Sequence, residues 1–260
     1  MSTNIDNRAI VSSKAQINEN VTIGPNTIVE DNVVIGSNTT IASNVLIANG
    51  TRIGKNCRIH HGAVLGTNPQ DLKFKGEETT LEIGERTTIR EYATLNRGTH
   101  EQMKTVVGSN CFIMAYAHVA HDCTVGNHVI LANSVNMGGH VIIEDYVIVG
   151  GIVPIHQFVR IGRHVMIGGG FRAAKDVPPY ILAGQEPLSF QGLNKVGLRR
   201  RNFPYETINT IETAYKLIYR SNMNVTQALE KIKSDLPQIE EIKHIIEFIE
   251  KSKRGIIPNR

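Results

Sequence analysis

The sequence predicts a mainly β protein, a parallel β-helix of hexapeptide repeats followed by a small α-helical domain. Aliphatic residues return every sixth position: Val11, Ile17, Ile23, Val29, Ile35, Ile41, Ile47, Ile53, Ile59 and Leu65, then Ile83, Ile89 and Leu95, then Val107, Ile113, Val119, Val125, Leu131, Met137, Ile143, Val149, Ile155, Ile161 and Ile167. A helix needs recurrence near 3.6 residues and a plain strand near 2, so a six-residue beat belongs to short stacked strands. Three residues after the beat come Asn20, Asn26, Asn32, Asn38, Asn44, Gly50 and Asn56. Asn and Gly best tolerate the left-handed backbone region, so they mark a corner after each strand. Beyond Gly168-Gly169-Gly170 and Pro178-Pro179 the period turns helical.

The elements follow in order. Two residues before each aliphatic stands a small or β-branched one, such as Val21, Thr27, Val33, Val141 and Val165, suited to the narrow interior of a prism. Three hexads make one coil, so residues eighteen apart are expected to stack at the spacing of neighbouring strands, about 4.8 Å. Two excursions break the beat. Residues 66–81 (GTNPQDLKFKGEETTL) put Asp71 and Glu77 where aliphatics belong, and residues 97–104 (RGTHEQMK) do the same with Glu101. Both restart in phase, as loops pushed out from a corner would, and loops on a rigid scaffold commonly carry binding groups. The prism domain is placed at 1–177 and the helical domain at 178–260. Helices are expected near Leu193–Arg201, Tyr205–Tyr219, Val225–Ser234 and Ile239–Lys253, with Pro204 at a helix start and Pro237 between two helices. The apolar stripe Ile208, Ile211, Tyr215, Leu217 and Ile218 reads as packing rather than a cofactor groove.

No stretch approaches the 18 apolar residues of a membrane span, and the N-terminus lacks an apolar signal region, so a cytoplasmic protein is expected. Cys57, Cys111 and Cys123 all fall on the small inward position, which makes them core residues rather than metal or redox groups. Positive charge gathers in the tail around Arg199-Arg200-Arg201. Without aromatic interleaving or a nucleic-acid motif, this patch suits a phosphorylated metabolite or an acidic carrier protein better than nucleic acid.

The chemistry-bearing residues cluster in the second half of the prism. Addition of eighteen places His121 beneath Gly139 and Gly139 beneath Gln157, with Asp122 beneath His140 and His118 at the same edge. Two imidazoles and a carboxylate thus meet the turn Met137-Gly138-Gly139-His140. Imidazole titrates near neutrality and can take a proton from a hydroxyl, while an adjacent carboxylate fixes its tautomer. The Gly139 N–H could stabilise an oxyanion. No Ser or Cys stands ready as nucleophile, so direct attack by a substrate hydroxyl is the simpler proposal. His60, His61 and His128 read as surface or packing residues, and His164 and His244 carry no assignment.

With AHVAHDCTVGNHVILAN, GGHV, NPQDLKFKGEETTLEIG, RHVMIGGG, DVPPY, NKVGLRRRNF and AYKLIYRS, the chain resembles the UDP-N-acetylglucosamine 3-O-acyltransferases over essentially its whole length. The resemblance implies a left-handed β-helix and a cytoplasmic homotrimer with active sites between subunits. It also implies the first acyl transfer of lipid A biosynthesis, from 3-hydroxyacyl-acyl carrier protein to the 3-hydroxyl of UDP-N-acetylglucosamine. No cofactor or metal is implied beyond the carrier's own phosphopantetheine. By motif, His121 matches the general base, Asp122 its orienting partner and Gly139 the oxyanion donor. His118, His140, His156 and Gln157 match substrate contacts. Asp71 and Lys73 match sugar-nucleotide contacts, and Asn194, Arg200 and Arg201 groups near the nucleotide. Gly169 matches the position that sets acyl length, where a glycine suggests a long chain. Asn96, Val196 and Glu212 depart from the pattern, at a histidine, an acidic and a basic position respectively. Competing readings are the N-acyltransferase acting two steps later, which carries an extra N-terminal domain, a zinc carbonic anhydrase on the same fold, and a non-enzymatic β-helix binding protein.

Overall fold

The computed structural model describes residues 3–259. Strands of mostly two residues wind around a triangular prism: Asn4–Ile5 opens face 1, Ile10–Val11 face 2 and Gln16–Ile17 face 3, and the cycle repeats. The prism is a left-handed parallel β-helix. Within regular coils the pairing step is the expected eighteen residues, as in Ile23↔Ile41 and Ile143↔Ile161. It widens to thirty at Ile59↔Ile89 and twenty-four at Ile89↔Ile113. Each excursion therefore adds whole hexads, which is why the beat resumes in phase.

The beat residues fill the prism. Ile35, Ile47, Leu65, Ile89, Val119, Met137, Val149 and Ile167 are all 0% exposed, and so are the small partners Val33, Cys57, Ala93, Cys123 and Val141. At about 1.5–3 kcal/mol per buried aliphatic side chain, this column is the main stabilising contribution, set against the chain entropy lost on folding. Burial pushes the Cys111 and Cys123 thiols up to about 11 and about 12, as expected of core residues. From Asn20 onward the regular corners turn through the left-handed region, at Asn20 (φ 59°), Asn26 (56°) and Asn32 (49°) and so along the chain.

At the C-terminal end, strand Ile181–Gly184 still stacks in parallel on Met166–Ile167 and pairs antiparallel with Ser189–Leu193. The Val177/Pro178 boundary thus lies between a last bridge to Ile161 and this hairpin, which had no periodic signal of its own. Four helices follow, α1 (Lys195–Arg200), α2 (Tyr205–Arg220), α3 (Val225–Asp235) and α4 (Glu240–Glu250). Pro204 caps α2, and Asn224 and Gln227 form a capping box on α3. The α2 stripe buries Ile208, Ile211, Tyr215 and Ile218. It packs on the end of the prism, where the Tyr215 hydroxyl donates to Pro179 O at 2.6 Å. His244 of α4 meets Glu144 at 2.9 Å, and Ile257 N–H donates to Asp176 O at 2.9 Å, so the tail is tied back onto the β-helix. Among the described residues, no helix is long and apolar enough to cross a membrane.

Candidate active site

The corner between faces 2 and 3 differs from the other two. Both excursions leave from it, after Val64–Thr67 and after Thr94–Asn96. The next three coils turn the same corner after His118–Val119, Asn136–Met137 and Pro154–Ile155, and so bring His121-Asp122, Gly139-His140 and Gln157-Phe158 into one column above the loops. The stacking read from the repeat holds. A Cβ on Gly139 would lie 2.6 Å from His121 Cε1 and 2.7 Å from Nε2, so only glycine admits the ring there. His140 stacks on Phe158 with centroids 4.5 Å apart and stands edge-on to His121 at 5.2 Å.

Asp122 takes the left-handed turn position (φ 59°), and its side chain is fully buried. Its Oδ2 lies 2.8 Å from His121 Nδ1. A carboxylate can only accept, so Nδ1 carries the proton and Nε2 keeps its lone pair beside Gly139. Thr99 donates its backbone N–H to Asp122 Oδ1 at 2.8 Å and its hydroxyl to Oδ2 at 2.6 Å. Burial pushes the carboxyl up, but the hydrogen bonds from Thr99 and His121, with the His140 imidazole nearby, outweigh it and hold Asp122 below the ordinary carboxylate value. Among the described residues, the Gly139 N–H donates to no carbonyl or side chain, while its neighbours at 138 and 140 are both bonded to adjacent coils. His118 sits at the strand end below, 2.7 Å from Thr94 Oγ1, and burial holds its imidazole below the usual histidine value.

The expected site residues are not all at this corner. His118, His121, Asp122, Gly139, His140, His156 and Gln157 are gathered on it, with His156 Nδ1 turned 3.0 Å from Gln157 O. Asp71 and Lys73 ride on the first excursion, where Asp71 Oδ1 accepts the Lys73 N–H at 2.9 Å. Asn194 and Arg201 lie at the corner between faces 3 and 1. Asn194 caps α1 and donates to His164 O at 2.9 Å, and the Arg201 guanidinium covers the Tyr146 ring at 4.0 Å. Arg200 is the exposed last residue of α1. Gly169 lies on the third corner, open outward, with Gly151 O 3.1 Å from a Cβ built on it.

Several participants escaped the sequence reading. Thr99, Thr105 and Glu101 all come from the second excursion and the strand after it: Thr105 Oγ1 accepts the Asp122 N–H at 2.9 Å, and Glu101 lies 3.6 Å from His140 Nε2. Addition of eighteen misses Thr99 because the step across that loop is twenty-four, whereas Thr105 lies a regular eighteen residues before Cys123. His60 also proves to have an acidic neighbour, Glu91 of the next coil at 3.2 Å. Of the departures, Glu212 binds Lys195 through both oxygens at 2.9 Å, Val196 is exposed, and Asn96 is buried with its amide donating to Thr67 Oγ1 and Asn68 O at 3.0 Å.

His121, Asp122 and His140 hold potential metal-ligand atoms within 4.8 Å of one another. Two ligands on a tetrahedral zinc with bonds of about 2.0–2.1 Å sit about 3.3 Å apart. The 2.8 Å between His121 and Asp122 is a hydrogen bond instead, and Asp122 Oδ2 is already engaged by Thr99. A concavity of about 750 Å³, lined by Lys14, Asp31, Glu77, Glu78 and Arg97, lies lower on the same corner and does not contain the dyad.

Residues 176–257 match a family model described as UDP N-acetylglucosamine O-acyltransferase, domain 2. Residues 14–49, 32–67 and 104–139 match the bacterial transferase hexapeptide repeat. An acyl-[acyl-carrier-protein]–UDP-N-acetylglucosamine O-acyltransferase of Thermodesulfovibrio yellowstonii is 48% identical over 253 residues, covering 97% of this chain and 98% of its own. The Chlorobaculum tepidum enzyme of the same name is 56% identical over 246 residues, covering 94% and 93%. The crystal structure of a UDP-N-acetylglucosamine acyltransferase from Bacteroides fragilis superposes with a TM-score of 0.95 at 47% identity, covering 97% of this chain and 99% of that one.

Proposed function

The chain belongs to the UDP-N-acetylglucosamine O-acyltransferase family, and from that premise we propose how its residues carry out the transfer. The enzyme moves an acyl chain from acyl carrier protein to UDP-N-acetylglucosamine, the first step of lipid A biosynthesis. The acceptor is the sugar 3-hydroxyl and the donor a 3-hydroxyacyl thioester. His121 Nε2 takes the hydroxyl proton as the oxygen attacks the thioester carbonyl, and the Gly139 N–H faces the oxyanion that forms. The C–S bond then breaks, and the imidazolium returns the proton to the departing phosphopantetheine thiolate. The observation that carries this reading is the buried, ionised Asp122 held on His121 Nδ1, which leaves Nε2 free. A covalent acyl-enzyme is disfavoured, because the nearest thiol, Cys123, points into the prism and is pushed up to about 12 by burial.

His118, His140, His156 and Gln157 contact substrate on this corner, and no cofactor or metal is needed. Asp71 and Lys73 bind the sugar nucleotide, with Asn194, Arg200 and Arg201 near its diphosphate. Asn194 and Arg201 lie on another edge of the prism, so one substrate reaches them and His121 only if two subunits meet, as in a homotrimer. An apolar edge of the single chain supports this. Ile152 is 71% exposed at φ 58°, a conformation that disfavours a β-branched residue and that contact with a second subunit would compensate. Gly169 leaves the acyl groove open to a long chain. A carrier-bound donor supports a cytoplasmic site for the reaction.

The test is transfer from 3-hydroxyacyl carrier proteins of several lengths to UDP-N-acetylglucosamine, for wild type and His121→Ala. We expect wild-type turnover favouring chains longer than ten carbons and a loss of about 10²–10⁴-fold in the variant. A profile peaking at ten carbons or fewer overturns the Gly169 reading, and undiminished turnover by the variant overturns the base.

A further inference from the structure

The second excursion supplies a clamp on the dyad. Thr99 is 2% exposed and gives both of its donors to one carboxylate, the backbone N–H to Asp122 Oδ1 and the hydroxyl to Oδ2. Its own oxygens are in turn fixed within the loop, since the Met103 N–H donates to Thr99 O at 2.8 Å and the Glu101 N–H to Thr99 Oγ1 at 3.2 Å. The approach to Thr99 is equally constrained. Gly98 O accepts the Thr79 hydroxyl at 2.6 Å, the Gly98 N–H donates to Thr80 O at 3.2 Å, and a Cβ on Gly98 would fall 2.3 Å from Lys104 N. Both excursions therefore converge on the position of one hydroxyl. From below, Thr105 Oγ1 holds the Asp122 N–H at 2.9 Å. The charged or titratable groups facing Asp122 are His121 at 2.8 Å and His140 at 3.7 Å, with Glu101 on the far side of His140 at 3.6 Å.

We propose that Thr99 is a positioning residue for acyl transfer: it aims Asp122 Oδ2 at His121 Nδ1 and keeps that carboxylate ionised, so that the loop it belongs to sets the readiness of the base. This rests on His121 as the base. A buried carboxylate with a single neutral partner would gain affinity for a proton, whereas two extra donors stabilise its charged form. Removal of the hydroxyl alone leaves Asp122 more basic and competing with His121 for the same proton. The free base then forms only at higher pH.

The experiment compares kcat, KM and the pH profile of acyl transfer for wild type, Thr99→Val and Thr99→Ser as full-length protein. Thr99→Val is isosteric and keeps the backbone donor. We expect kcat to fall about 10–100-fold with KM for UDP-N-acetylglucosamine unchanged, and the acid limb of the profile to move up by about one pH unit. Thr99→Ser, which retains the hydroxyl, restores the wild-type limb. In an Asp122→Asn background Thr99→Val should add no further loss, because both changes act through one carboxylate. A lower kcat with an unshifted limb, or a full further loss in the Asp122→Asn background, overturns the proposal and leaves Thr99 as packing. If the valine variant does not fold, Thr99→Cys, whose thiol is a much weaker donor, carries the same expectation. Retained activity in His121→Ala sinks the base itself, while collapse in His121→Ala with an unshifted Thr99→Val profile sinks only the clamp.

Discussion

The first and last coils of the prism share a backbone and differ at their corners. In the coils before the first excursion the left-handed corner positions are Asn20, Asn26, Asn32, Asn38, Asn44 and Asn56, with φ between 49° and 61°, together with Gly50 and Gly62. In the C-terminal half the same positions, with φ between 57° and 65°, carry Tyr116, Asp122, His128, Ser134, His140, Tyr146, Ile152, Phe158 and His164. For a residue other than Gly, Asn or Asp, entering this region costs roughly 1–2 kcal/mol. Part of that is offset by stacking from coil to coil, with His128, Tyr146 and His164 in a ladder at 4.7 and 4.9 Å. The asparagine turns are the least strained solution to the corner. Where the chain departs from them, the side chain serves something besides the turn.

The ladder provides the larger test of this contrast. His164 is buried between Tyr146 and Tyr180, and burial, aided by the charges of Arg201 and Arg163, pushes its imidazole down to about 4. The unfolded chain, with an ordinary histidine near 6.5, binds the proton first as pH falls. The stability associated with neutral His164 is therefore complete above about pH 6.5 and lost as pH drops towards 4, an amount of about 3 kcal/mol. His164→Phe keeps the stack and removes the proton, so its stability measured by denaturant titration should fall less than that of wild type between pH 7 and 4. Equal slopes would mean that the stack leaves the His164 imidazole at its ordinary value. The smaller test lies in the quiet half. Asn38→Ala, at φ 61°, should cost about 1 kcal/mol of stability and leave kcat untouched. A loss of turnover there would show that the asparagine corners do more than turn the chain.

How much of this was legible in the sequence follows from what the repeat controls. The six-residue beat dictates which side chains point inward, so the prism core, the inward cysteines and the vertical neighbours of His121 could all be read by addition. Addition fails where the loops change the step, and for that reason Thr99, the closest partner of Asp122, stayed invisible although it stands one coil below it. With the twenty-four-residue step known, Gly98-Thr99 falls beneath Asp122-Cys123. The hairpin Ile181–Gly184 with Ser189–Leu193 has no repeat behind it and was equally hidden. The positions of Asn194 and Arg201 on a different edge from His121 depend on how the helical domain caps the prism, which no local spacing encodes.

The most direct measurement is acyl-transfer turnover and thermal stability of Asp122→Asn, which gives this corner the residue that the quiet corners use. Asparagine suits φ 59° at least as well as aspartate, so the account predicts a folded protein with Tm near that of wild type. The amide offers a donor where His121 Nδ1 needs an acceptor, which draws the proton to Nε2 and leaves no base. Turnover should therefore fall by about 10²–10⁴-fold. A folded Asp122→Asn protein with wild-type kcat would contradict the dyad, and with it the claim that the chemistry lies in the residues that replaced asparagine at the corner.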